Sequence, residues 1–392
     1  MLISIALMMI LGMFLGWGCK KIKFPSLFGM IITGIILGPY VFNLIDSSIL
    51  NVSSELRRIA LIIILLRAGL SLDIADLKKV GRPAILMCFL PACFEILGMI
   101  VLAPKLLGIS LLDAAIMGAV VGAVSPAVIV PKMIKLMDGK YGTNKGIPQL
   151  ILAGASVDDV FVIVMFSTFT SLAQGKGASI MSFVNIPISI ITGILVGFLV
   201  GCILAKFFEK VHIRDTSKVI ILLCLSFIMV TLEDKYSMII PFASLIGVMS
   251  IGISLQKNRQ CVAVRISSKF SKLWVMAEIM LFVLVGATVD LNNAFKAGIT
   301  AIILVLGVLI FRMVGVFICL LKTKLNIKER IFCMFAYTPK ATVQAAIGGL
   351  PLAMGLSCGN IVLTVSVIAI LLTAPLGAFI IDLTYKKLLE KY

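Results

Sequence analysis

The chain has 392 residues, of which 61% are hydrophobic and only 14% charged, and its mean hydropathy is +1.17. Ordinary soluble domains carry about a quarter charged residues, whereas here apolar stretches of about 20 residues, each long enough to cross a bilayer, recur from end to end. These facts exclude a soluble enzyme, a disordered chain and a nucleic-acid-binding protein, and they leave the net charge of +17 to be explained by membrane orientation.

Thirteen apolar segments are expected, at roughly 2–18, 25–42, 56–72, 83–104, 112–134, 149–172, 183–205, 217–232, 237–255, 273–289, 298–320, 331–354 and 360–384. The first lacks the basic n-region of a signal peptide, and Lys20, Lys21 and Lys23 follow it directly. That is the pattern of a retained helix with its amino end outside. The connections are short, so no soluble domain is expected between spans. Positive residues then sort by side. With the amino end outside and the carboxyl end cytoplasmic, 26 of the 35 Lys and Arg fall on inner loops and the tail, six on outer loops and three within spans. A miscount of one span would destroy that alternation, so it supports thirteen crossings of a cell membrane, plasma or bacterial inner.

The second and ninth spans align at an offset of 218. Phe24-Pro-Ser-Leu-Phe-Gly-Met-Ile-Ile-Thr-Gly-Ile-Ile-Leu37 lies over Phe242-Ala-Ser-Leu-Ile-Gly-Val-Met-Ser-Ile-Gly-Ile-Ser-Leu255, with seven of fourteen positions identical. Gly69-Leu-Ser-Leu-Asp73 lies over Gly286-Ala-Thr-Val-Asp290 at an offset of 217. Spans 1–6 and 8–13 therefore read as two copies joined by span 7. Equivalent helices are an odd number of crossings apart, so the copies are inverted, the organisation of many secondary transporters. The expected fold is an all-α polytopic membrane protein of about 13 helices, in two inverted six-helix repeats with broken crossing helices.

Ionisable groups inside the spans cost several kcal/mol each, on the order of 3 by insertion scales, and so read as functional. In chain order they begin with Arg67, which lies one and a half turns from Asp73 and can snorkel to the inner surface. Glu95 sits mid-span in Pro91-Ala-Cys-Phe-Glu-Ile-Leu-Gly and Arg312 mid-span in Leu309-Ile-Phe-Arg-Met-Val-Gly. The repeat offset carries one onto the other, so the two can meet near a two-fold axis as a structural salt bridge. Asp158 and Asp159 lie mid-span in Gly154-Ala-Ser-Val-Asp-Asp-Val-Phe-Val. Adjacent helical residues point about 100° apart, so one carboxylate can face a cavity while the other flanks it. Two close carboxylates resist ionising together, and such a pair can hold a proton or a small hard cation such as Na⁺. No surplus of buried cations is expected to neutralise them. Glu278 has no role assigned.

Two spans carry breaks. One has Gly122-Ala-Val-Ser125-Pro126-Ala-Val-Ile-Val-Pro131, and its repeat partner has Tyr337-Thr-Pro339-Lys340-Ala-Thr-Val-Gln344. Proline disrupts the helical ladder and frees carbonyls that can hold ions, so Ser125 joins Asp158 and Asp159 as an expected ion ligand, and Pro126, Pro339 and Lys340 mark the breaks. Lys340 can offset the negative end of a half-helix. The nine cysteines show no Cys-x-x-Cys pair and read as small packing residues. The single histidine, His212, lies in a polar loop beside Arg214 and Asp215, which leaves zinc, haem and His-based triad chemistry almost no ligands or bases. No enzymatic activity and no cofactor are expected.

Gly-Ala-Ser-Val-Asp158-Asp159, Ala-Val-Ser125-Pro126-Ala-Val-Ile-Val-Pro and Thr-Pro339-Lys340-Ala-Thr-Val-Gln-Ala-Ala resemble the monovalent cation:proton antiporter superfamily, most closely its NHA-type sodium/proton exchanger branch. Leu66-Arg-Ala-Gly-Leu-Ser-Leu-Asp73 adds to that likeness, which covers essentially the whole chain. The resemblance implies a homodimer, with residues 1–82 (helices 1–3) and 217–297 (helices 8–10) on the dimerisation side. It implies a moving core of 83–175 (helices 4–6) and 298–392 (helices 11–13), with 176–216 as a connecting helix. It implies that Asp159 is the principal cation ligand with Asp158 assisting, and that Glu95 pairs with Arg312. Members with strongly voltage-coupled exchange often carry a lysine near the aspartates, where this chain has Arg312.

The leading functional expectation is antiport of Na⁺, with Li⁺ as a second candidate, against H⁺ by alternating access. K⁺/H⁺ exchange by a related antiporter is the alternative, weakened because no nucleotide-binding domain follows the last span. An intramembrane aspartyl protease would place its two aspartates on different helices, one in Gly-x-Gly-Asp, and here they are adjacent. A channel would call for a carbonyl filter such as TVGYG, which nothing here resembles.

Overall fold

The computed structural model describes residues 1–22, 24–72, 81–174, 180–236, 242–289 and 291–391. Lys23, Asp73, Lys78, Lys79, Lys176 and Asp290, which entered the charge and repeat arguments, lie outside them. Apart from one isolated bridge between Tyr141 and Lys391, the regular elements among the described residues are helices. They run α1 (Leu2–Lys21), α2 (Ser26–Leu37), α3 (Ser47–Asn51), α4 (Ser53–Ser71), α5 (Arg82–Met87), α6 (Leu90–Leu107), α7 (Leu111–Val121), α8 (Pro126–Asp138) and α9 (Ile147–Ala173). Then come α10 (Ile180–Lys210), α11 (Asp215–Tyr236), α12 (Ser244–Asn258), α13 (Gln260–Ala287), α14 (Leu291–Cys319), α15 (Ile327–Ala336), α16 (Thr342–Ile347), α17 (Leu350–Ala353) and α18 (Gly359–Leu388).

Among the described residues, nine helical segments are long and apolar enough to cross a membrane, and Ser26–Leu37 and Thr342–Ala353 are shorter apolar helices. Two of the expected thirteen spans fall on α4 and α12. Glu55, Arg57, Arg58 and Arg67 interrupt the apolar run of α4, and α12 has only 15 residues.

Local signals set the helix ends. Ser110 caps α7 by accepting the Asp113 N–H, and Asn326 and Glu329 form a reciprocal capping box on α15. α6 stops at Gly108, whose φ of +66° is the left-handed conformation that glycine adopts without a Cβ penalty. Pro126 opens α8 as its first residue, where a missing N–H costs nothing. Pro339 bars its predecessor from helical geometry, which keeps α15 and α16 apart.

The chain divides into two compact units. One comprises Met1–Arg57, Leu77–Ala173 and Ile279–Tyr392, the other Arg58–Asp76 and Gln174–Glu278. Small residues let helix backbones touch in both, as expected where the surrounding lipid gives apolar side chains no reason to cluster. In the first unit a Cβ on Gly34 would fall 1.9 Å from the Val283 carbonyl oxygen, and one on Gly286 would fall 3.0 Å from Gly34. In the second, Gly69 lies against Met249 and Gly252 in the same way, and Gly197 against Gly247. Gly34 and Gly252 are repeat equivalents, as are Gly69 and Gly286, so each unit holds one version of the same inter-copy contact.

Candidate buried ion site

The site lies wholly within the first unit, where α6 packs on α14 and the break between α7 and α8 meets the break between α15 and α16. The α6–α14 contact repeats itself. A Cβ on Gly98 would fall 2.7 Å from the Phe311 ring, and one on Gly315 would fall 3.1 Å from Phe94 Cβ. Phe94 and Phe311, like Gly98 and Gly315, are related by the offset of 217. The residues one position on from the phenylalanines are Glu95 and Arg312, and the symmetric contact brings them together, Arg312 Nη1 donating to Glu95 Oε2 at 2.7 Å.

Arg312 does more than this. Its Nη2 donates to Asp158 Oδ2 at 2.8 Å, its Nε to the Tyr337 carbonyl at 2.7 Å, and Nη1 also to the Gly122 carbonyl. One rigid fork therefore joins two carboxylates and the last turns of both interrupted helices, a task suited to guanidinium geometry. The Tyr337 ring lies under the guanidinium at 5.0 Å, and its hydroxyl donates to the Met87 carbonyl at the end of α5. Lys340 Nζ donates to Glu95 Oε2, while its backbone N–H is held by Thr373 Oγ1 of α18. The breaks are joined directly, the Ser125 N–H donating to the Pro339 carbonyl at 2.8 Å.

Two sequence expectations change here. Arg312 is shared between Glu95 and Asp158, so a buried cation does stand ready for one aspartate. Lys340, which was expected to offset a helix end, supplies Glu95 with a second cation beside Arg312. Glu95, Asp158, Arg312 and Lys340 are each at most 1% exposed. They form a network of two acids and two bases, and their charges cancel as burial demands.

Asp159 stands outside that balance. It is 6% exposed, and its Oδ1 has no hydrogen-bond partner. Ser125 Oγ, Thr342 Oγ1, Gln344 Oε1 and Asp158 Oδ1 are also buried without partners. Hard oxygen donors of this kind suit an alkali cation. Thr342 and Gln344 were not singled out as site residues. Thr342 is the repeat equivalent of Ser125, a signal the sequence did contain. Pro126 and Pro339 lie at the two breaks as expected. Arg67 and Glu278 are half-buried in the second unit, outside this site. His212 is exposed, and all nine cysteines are free.

Residues 4–387 match the family described as "Sodium/hydrogen exchanger, transmembrane". The chain belongs to the sodium/hydrogen exchanger family. It is thus a multi-pass membrane protein of a transporter family. It is 32% identical over 392 residues to "Sodium/hydrogen exchanger 9B2" of Homo sapiens, covering 94% of this chain and 70% of that protein. It is 30% identical over 382 residues to the human "Sodium/hydrogen exchanger 9B1", covering 94% and 73%. The fold of this exchanger-family chain is shared with the sodium proton antiporter MjNhaP1 from Methanocaldococcus jannaschii at pH 8, with a TM-score of 0.86 at 20% identity over 98% of this chain and 97% of the other.

Proposed function

We propose that this chain exchanges Na⁺ for H⁺ across a cell membrane by alternating access of one buried site, with Li⁺ as a second substrate. The observation that carries the reading is the charge inventory. Among the described residues of the site, two buried acids are matched by two buried bases, and Asp159 is left as an unmatched carboxyl. A carboxylate without a counter-charge is costly in a low-dielectric interior, so Asp159 is stable there when it holds either a proton or a cation. Those two states are the two loaded forms of an antiporter. Ser125 and Asp158 supply further oxygens to the cation, and Glu95 with Arg312 and Lys340 hold the frame. No cofactor takes part, because the coupling lies in the competition itself.

The family pattern supports a homodimer in lipid, with residues 1–82 and 217–297 on the dimerisation side, 83–175 and 298–392 as the moving core and 176–216 as connector. The charge distribution along the loops supports an outer amino end and a cytoplasmic carboxyl end.

The test is dequenching of a pH dye in proteoliposomes, with Na⁺, Li⁺ and K⁺ added in turn to wild type and Asp159→Asn. The amide keeps the shape of the carboxyl but cannot alternate between proton and cation, so flux should vanish in a protein that still purifies as a folded species. Undiminished Na⁺-driven proton flux in Asp159→Asn sinks the assignment, and flux with K⁺ alone makes the chain a K⁺/H⁺ exchanger. Competition also requires the apparent Na⁺ Km to rise as pH falls while the maximal rate changes little. His212→Ala should leave that profile in place, since His212 lies outside the site.

A further inference from the structure

Gln344 is 1% exposed in α16, and the balance of charges leaves it no task. Its Nε2 donates to two backbone carbonyls, Val121 at 3.0 Å and Ala123 at 2.9 Å. Both lie where α7 ends, among the carbonyls that a helix terminus leaves without intrahelical partners.

The peptide joining Ala123 to Val124 is the informative one. Its C=O accepts from Gln344, and its N–H donates to Asp158 Oδ2 at 2.8 Å. A peptide unit is planar and rigid, and in the trans form its C=O and N–H point in opposite directions. Fixing the carbonyl therefore fixes the direction of the N–H. From Gln344 the hydrogen bonds run through this peptide to Asp158, on to Arg312, to Glu95 and to Lys340. Lys340 lies four residues before Gln344, so both ends of the chain of bonds belong to the same broken helix. Linked bonds in a low dielectric reinforce one another.

We propose that Gln344 is a positioning residue for exchange: by holding the Ala123–Val124 peptide it keeps Asp158 tied to Arg312, so that Asp159 alone alternates between proton and cation. The proposal rests on the reading of Asp159 given above. Without Gln344 the peptide is free to turn, Asp158 loses a donor, and the second carboxylate enters the competition for protons, which weakens it as a partner of the cation.

The test compares wild type, Gln344→Leu, Gln344→Glu and Asp159→Asn in the same proteoliposome assay, with the Na⁺ Km and maximal rate measured at acid, neutral and alkaline pH. Gln344→Leu should raise the apparent Na⁺ Km by about tenfold or more, the scale set by groups that orient ion ligands, and should alter its pH dependence. Gln344→Glu keeps the shape. Protonated at acid pH, it can donate to one carbonyl; ionised, it repels both. Its rate relative to wild type should therefore climb as pH falls. That readout survives even where Gln344→Leu does not fold, and a merely structural amide would not produce it. Wild-type Km and pH profile in either folded variant, with Asp159→Asn inactive, overturns the role of Gln344 alone. A lower Na⁺ Km in Gln344→Glu at alkaline pH makes the side chain a cation ligand and also overturns the positioning role. Activity in Asp159→Asn overturns the site reading instead.

Discussion

The two broken helices that meet at the site are built alike and charged unlike. The first, α7 and α8, is interrupted between Val121 and Pro126; the second, α15 and α16, between Ala336 and Thr342. Each has a proline in or just after the break and a buried hydroxyl where the second half begins, Ser125 in one and Thr342 in the other. The first repeat, however, brings only acids to the site (Glu95, Asp158 and Asp159), and the second brings only bases, Arg312 and Lys340. The carbonyls freed at the first break are met by side chains of the second repeat, those of Gly122 by Arg312 and of Val121 and Ala123 by Gln344. The two breaks thus share a symmetric frame but differ in charge, one half acting as the acceptor and the other as the donor. The first repeat thereby brings one buried acid more than the second brings bases.

The severest way to break this arrangement is to remove its hub. Arg312→Gln deprives Glu95 and Asp158 of a partner at once and leaves the Tyr337 and Gly122 carbonyls short of a donor. Removing one member of a buried ion pair typically costs about 3–5 kcal/mol. The variant should show the largest fall in melting temperature in detergent, well beyond that of Lys340→Met, which still leaves Glu95 its bond from Arg312. Equal melting of the two variants would mean that the guanidinium is not the hub.

A gentler cut isolates the pair that crosses the two repeats. Glu95→Gln and Arg312→Gln should each lower the melting temperature, and the double variant should recover part of the loss, with a coupling of about 0.5–3 kcal/mol. Full recovery is not expected, because Lys340 then loses its acid and Asp158 its base. Additive losses would contradict the 2.7 Å contact.

Much of this was legible in the sequence, and the reasons differ by residue. Charges inside apolar spans stand out because they are costly there, so Glu95, Asp158, Asp159, Arg312 and Lys340 can all be picked out from the sequence. The offset that aligns the repeats also predicted which helices would meet. The sharing of Arg312 was not legible, since a guanidinium has five donors and the sequence does not say how many acids it serves. Gln344 carries no charge and so raised no alarm, although a buried amide also needs partners. The interruption between α5 and α6 at Cys88 and Phe89 was missed for a different reason. Pro91 allows a helix to begin there but does not require the preceding one to end.

The symmetry of the packing can be tested separately from that of the charge. Gly98 and Gly315 are equivalent, yet they face different neighbours. A Cβ on Gly98 would meet the Phe311 side chain at 2.7 Å, whereas one on Gly315 would meet the Pro91 backbone at 2.9 Å. Overpacking of this kind typically costs about 1–3 kcal/mol. Gly315→Ala should melt lower than Gly98→Ala because backbone yields less readily than a ring. Phe311→Leu should rescue Gly98→Ala, while Phe94→Leu should not rescue Gly315→Ala. Rescue of both would show that the contact is symmetric in energy as well as in sequence.

The smallest effect lies at the far end of the second broken helix. Glu329 caps α15, is fully buried, and accepts a hydrogen bond from Lys145 Nζ at 2.8 Å. Lys145 lies in the loop between α8 and α9, and Glu390 stands 3.6 Å from it on the other side. The bond from Lys145 to Glu329 raises the ammonium pKa above its ordinary value. A raised lysine pKa stabilises the folded state fully at pH values below the ordinary one, near 10.4, and that contribution is lost as pH climbs through the raised value. Because the Lys145 side chain keeps part of its surface in solvent, screening discounts the gain, to about 1 kcal/mol. Lys145→Met should therefore melt slightly below wild type, by an amount that stays constant from neutral to mildly alkaline pH and closes only at strongly alkaline pH. High salt should narrow the gap, since exposed charges are screened. A gap that instead opened or closed between acid and neutral pH would show that the lysine is not the titrating group.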